Sequence, residues 1–167
     1  MMNRILLTLL ILSSFCTFGQ SNSQGVFTVL DIRSIISFDV TSTGNRLEYY
    51  FNNPNQITNG LVGNNIFKAQ VKSNQNWIMN VHADTPFFLN ASDNRPSSMP
   101  TSIIGLRKEN KTDFVKVDVL PKAIATGPRG NEKKKDNNFM LDMEITPGDH
   151  AEPGEFYVNL VFTITPD

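Results

Sequence analysis

The stretch Gly154-Glu155-Phe156-Tyr157-Val158-Asn159-Leu160-Val161-Phe162-Thr163-Ile164-Thr165 decides the reading of the fold. Phe156, Val158, Leu160, Phe162 and Ile164 stand two apart, so in an extended chain all five project from one face. Tyr157, Asn159, Val161, Thr163 and Thr165 occupy the other. This alternation predicts a strand with one face on a core, and it specifies the register, since a one-residue slip would turn the apolar face to water. A strand so patterned closes a sandwich or pairs with another chain. The five apolar positions are therefore candidate assembly residues.

The same alternation recurs upstream. Ile36, Phe38 and Val40 alternate with Ser37 and Asp39, and Leu47 to Phe51 follows a Thr43-Gly44-Asn45 turn. Phe67, Ala69 and Val71 alternate with Lys68, Gln70 and Lys72. After Ser73-Asn74-Gln75-Asn76 come Trp77, Met79 and Val81, and the two runs together read as a hairpin. Met99 to Arg107 carries Ile103, Ile104 and Leu106, with Gly105 as a candidate bulge. Val115, Val117 and Val119 form one more run, ended by Pro121, and Phe139, Leu141, Met143 and Ile145 another. Asn90 to Pro100 and Gly127 to Asn138 read as long loops, the second carrying Lys133-Lys134-Lys135. Its plain reading is a charged loop that blocks edge pairing. Past the first residues no stripe of helical period stands out. The expectation is all-β: a two-sheet antiparallel β-sandwich, immunoglobulin-like or pilin-like Greek key, with about eight or nine strands.

At the other end, Arg4 precedes the apolar run Ile5 to Leu12, which predicts a signal peptide over residues 1–19 and a mature chain from Gln20. The single cysteine, Cys16, falls inside that signal, either as a lipid-modified residue or as one removed with it; if it is removed, the single domain expected over residues 20–167 has to hold together by its apolar core alone. The protein is expected to be secreted or held at the cell surface, with periplasmic transit in a Gram-negative cell. A net charge of −1 gives no reason to expect nucleic acid as a partner.

No residue set for catalysis emerges. His82 sits within a strand pattern and His150 in the turn Pro147 to Pro153, neither beside a nucleophile motif. Asp149, His150, Glu152 and Glu155 lack the spacing of a calcium loop, and one His is poor for zinc. No enzyme activity, metal or cofactor is expected. Trp77 reads as a core anchor, leaving Tyr49, Tyr50 and Tyr157 as candidate aromatic ligand contacts.

Two stretches, Val71-Lys72-Ser73-Asn74-Gln75-Asn76-Trp77-Ile78-Met79-Asn80-Val81 and Pro153-Gly154-Glu155-Phe156-Tyr157, together resemble small exported bacterial β-sandwich proteins of the fimbrial-subunit kind: chaperone–usher pilins, spore-coat-U-like proteins and WxL-type surface domains. The chain departs from the WxL pattern, with Trp77-Ile78-Met79 and Phe162-Thr163-Ile164 where Trp-x-Leu motifs would stand. The resemblance implies a structural or adhesion subunit of the surface that partners other subunits, by self-assembly or in a pilus, and a periplasmic chaperone. It also implies assembly by strand donation, with Gln20 to Leu30, through Phe27 and Val29, as candidate donor. Val26 to Ile32 as the chain's own first strand is the competing assignment. The alternative function is a secreted carbohydrate-binding module, with a glycan as partner.

Overall fold

The computed structural model describes residues 29–42 and 47–167. The signal segment, Cys16, Phe27 and the Thr43-Gly44-Asn45 turn lie outside the described residues. Contacts divide the chain into Met1–Ile32 and Arg33–Asp167. In the first unit, Val29 to Ile32 belong to no helix or strand. The second unit contains the strands β1 (Ile36–Ser42), β2 (Leu61–Ser73), β3 (Trp77–Ala83), β4 (Phe87–Asn90), β5 (Pro96–Pro100) and β6 (Ile104–Lys108). They are followed by β7 (Val115–Lys116), β8 (Lys122–Gly127), β9 (Asn138–Ile145), β10 (Phe156–Tyr157) and β11 (Leu160–Pro166). A short helix α1 (Pro54–Asn59) precedes β2. Asn53 caps it by accepting from the Gln56 amide, Pro54 opens it, and Gly60 ends it at φ +76°. The turn residues Asn52 to Asn55 thus serve as a helix start.

The architecture is all-β and antiparallel, as the alternation predicts, with eleven strands among the described residues. Five form one sheet in the order β1-β2-β9-β6-β7, and three form a second in the order β11-β3-β8. A third, smaller sheet has the order β10-β4-β5. The core lies where Ala69, Val71 and Leu141 of the large sheet meet Trp77, Met79 and Val81 of the second, all at 0% exposure. Trp77 stacks on Phe139 at 5.9 Å between ring centroids, and its indole N–H donates to Asn137 Oδ1 at 3.1 Å. Burying the largest side chain therefore leaves no unpaired donor. Gly127, opposite Trp77 in the β3–β8 register, makes room for the indole: a Cβ there would come within 2.2 Å of the ring.

The hairpin expected between Phe67–Val71 and Trp77–Val81 is absent. β2 pairs with β1 and β9, whereas β3 pairs with β11 and β8. The chain between them is an arch that crosses from one sheet to the other. Ser73 bonds across to Gly130 and its hydroxyl donates to the Gln75 carbonyl, turning the chain out of its sheet. The two apolar faces then meet across the core instead of lying side by side.

The last run is also two strands, not one. The backbone of Asn159 accepts from Asp84 N–H at 3.2 Å and its side chain donates to Asp84 Oδ2 at 2.7 Å. This tie breaks the run, so β10 joins β4 while β11 joins β3.

Four smaller differences follow from the pairing. Leu47 to Phe51 forms no strand, although Leu47, Tyr49 and Phe51 pack on the core. Gly105 stays in register with both Lys116 and Glu144 and is no bulge; a Cβ there would meet the Glu144 carboxylate at 2.7 Å. Val117 is buried, but the ladder at Val115 stops after two residues. Asn90 to Pro100 includes β5, paired back on β4, with Asn94 at φ +59° in the turn.

Candidate functional site: the two flanks of the sandwich

Five strands facing three cannot cover each other evenly. β1 ends the large sheet and β11 ends the small one, and neither has a partner on its outer side among the described residues. Directly opposed residues of an antiparallel pair share a face. Phe38 lies opposite Val71 and Val40 opposite Ala69, so both face the core side with partners at 0% exposure. Val40 packs on the core, but Phe38 is 40% exposed. Across from it, Leu160, Phe162 and Ile164 pair with the buried Ala83, Val81 and Met79, yet remain only half-buried. Phe162 reaches inward to meet Phe67 edge-on at 5.4 Å. This flank exposes core-facing apolar groups beside an unpaired strand edge.

The opposite flank is built differently. A groove of about 830 Å³ runs beside β8, lined among others by Lys108, Asn110, Lys111, Thr126, Lys135 and Asp136. One ion pair lies within it, and two more stand on the neighbouring strands. Lys108 Nζ lies 3.4 Å from Asp136 Oδ1 and 4.7 Å from the centre of the Phe139 ring. Arg107 Nε lies 3.0 Å from the buried Asp142, which also accepts the Asn65 amide at 2.9 Å. Lys116 meets Glu144 at 2.7 Å. These pairs hold β6, β7 and β9 together.

The lysine run does tie back to the fold. Lys134 donates to the Arg129 carbonyl at 2.8 Å, and Lys135 begins the 3-10 turn Lys135–Asn137 that presents Asn137 to Trp77. Glu132 is held below the usual carboxylate range by a backbone hydrogen bond and by Lys72 at 3.4 Å.

The remaining candidates are dispersed. Tyr49 lies half-buried in the connection before α1, its hydroxyl without a hydrogen-bond partner, and burial pushes the phenol up. Tyr50 is 67% exposed and donates to Glu48 Oε2 at 2.6 Å. Tyr157 is on β10 and donates to Asn94 at 2.8 Å. His82, on β3 opposite Val161, has a buried Nδ1 with no hydrogen-bond partner, while His150 closes the exposed turn Gly148–His150. The structure does not bring the two histidines together on one element. Among the described residues no group of three or more His, Cys, Asp or Glu could hold a metal ion. Glu152 is instead held below the usual carboxylate range by Ser98, first through its side chain and then through its backbone amide, which donates at 2.9 Å.

Of the assembly residues, Phe156, Val158, Leu160, Phe162 and Ile164 all pack partly buried against the core, whereas Val29 is 77% exposed. Sequence reasoning passed over Phe38. Its alternation was plain, but not its place at the end of a sheet. No protein-family model and no curated protein matches the chain.

Proposed function

We propose that this chain is an exported, non-enzymatic surface or fimbria-like structural or adhesion subunit, joined to other subunits by β-strand donation. The single observation that carries the reading is Phe38: an aromatic on the core side of β1, left 40% exposed next to β11, whose outer edge has no partner among the described residues. A strand laid along β11 would bond its free backbone groups and cover Phe38, Phe162 and Ile164 together. The donor is the segment from Gln20 to Leu30 of another subunit. Within and just after it, Val29, Leu30 and Ile32 are 77%, 79% and 68% exposed, an apolar exposure expected of a segment that is buried elsewhere. A periplasmic chaperone would hold the same flank before assembly. A glycan-binding module gains less support, since Trp77 is at 0% exposure.

Mass photometry of the full-length protein tests this. Oligomers are expected that extend with concentration and that dissolve when Val29 and Leu30 are both replaced by Asp. A monomer that unfolds cooperatively and never captures a synthetic peptide of residues 20–32 would dispose of strand donation.

A further inference from the structure

We propose that the outer edge of β1 is a self-pairing surface, on which two copies of this chain join antiparallel about a two-fold axis at Ile36, setting Arg33 of each opposite Asp39 of the other. This interface uses β1 and not β11, so it stands independently of strand donation.

Ser73, opposite Ile36, commits both its N–H and its C=O to Gly130, at 2.9 and 2.8 Å. Its backbone groups therefore point away from β1, and in an antiparallel ladder those of Ile36 must point away from β2. The next position agrees, because Asn74 N–H donates to the Ile35 carbonyl at 3.1 Å. Alternation then turns Ile35, Ser37 and Asp39 inward to β2, and leaves Ser34, Ile36, Phe38 and Val40 with backbone groups on the open side.

The edge is longer than β1 itself. Asn74 Oδ1 accepts the Ile35 amide at 2.9 Å, and Asn74 Nδ2 donates to the Arg33 carbonyl at 2.7 Å. The line from Arg33 to Ser42 is thus held extended, and β1 stays in unbroken register with β2. It contains no Pro, Lys or bulge, the devices that protect edge strands from pairing.

Charge selects the register. With the axis at Ile36, the open backbone groups of Ile36 meet their own copies, and those of Ser34 meet Phe38. Arg33 and Asp39 then form a pair without backbone bonds between them, the kind whose side chains approach most closely. Two-fold symmetry makes this pair twice. An axis at Asp39 would oppose two carboxylates, and one at Phe38 would set Asp39 against Ser37. Arg33, Ser37, Phe38 and Asp39 are all exposed.

Sedimentation velocity on the full-length protein, with circular dichroism to confirm folding, is the test. A dimer is expected, and Asp39→Arg or Arg33→Asp alone should weaken it roughly tenfold or more, since each puts like charges in contact twice. The double variant Arg33→Asp/Asp39→Arg should recover the original affinity to within about threefold. A protein that stays monomeric, a dimer indifferent to both single reversals, or a double variant that recovers nothing would overturn the proposal. Replacing Val29 and Leu30 by Asp should leave this dimer intact while dissolving longer polymers, so the two interfaces fail separately.

Discussion

At the β8 flank, Pro121 and Lys122 lead into an edge strand whose register with β3 shifts between Met79 and Asn80, and the pairs Lys108–Asp136 and Lys116–Glu144 stand nearby. At the β1 flank, Ile36 to Ser42 runs in unbroken register with one charge and with Phe38 40% exposed. The same core serves both, yet one side is protected by bulge, proline and lysine, and the other is left pairable. Bulges, prolines and lysines hinder pairing at an edge, and Ile36 to Ser42 carries none of them. Their absence at β1 is informative.

The sharpest way to break this comparison is to remove one aromatic from each region. Trp77→Ala should cost about 4 kcal/mol in urea unfolding, because it empties a fully buried site and leaves Asn137 without its indole donor. Phe38→Ala should cost less than about 1 kcal/mol, since much of that ring is already in water. Its effect should appear in assembly instead. Equal losses for the two variants would mean that the β1 flank is as well packed as the centre.

Gly127→Ala should rank next, at about 2 kcal/mol, because the added methyl collides with the Trp77 ring. No loss in thermal or urea unfolding would show that β8 shifts freely, and the two flanks would then be alike in tolerance.

Tyr49→Phe should change stability at neutral pH least, within about 0.5 kcal/mol and toward the more stable side, because the hydroxyl it removes has no partner. Burial raises this phenol above its ordinary value, so the unfolded chain loses the proton at lower pH than the folded one. Its contribution is intact below about pH 10 and is lost as pH rises through the folded value. The Phe variant should flatten that alkaline fall in stability.

Much of this was legible from residues. Phe139, Leu141, Met143 and Ile145 are buried along β9, as their spacing implies, and Trp77 is a core anchor. Alternation reports which face a residue takes, however, and says nothing about which strand lies beside it. For that reason the arch at Ser73–Asn76 reads as a hairpin, and the tie at Asn159 is invisible in a run that continues its period. Leu47 to Phe51 has the aromatic content of a strand but no ladder to join. Phe38 was legible as core-facing. Its exposure depends on having only three strands across from it, a number set by the whole chain.

The arch between β2 and β3 also bears on how the molecule comes into being. Because neighbours in sequence go to opposite sheets, each sheet is completed by distant segments: β9 pairs with β2, and β11 pairs with β3. Loop closure must come before those contacts can reward it, so native structure is expected to form on the millisecond-to-second scale typical of non-local β topologies. Until Asn138 to Ile145 is synthesised, β2 and β6 have no strand between them in the five-stranded sheet, and β3 waits longer still for β11.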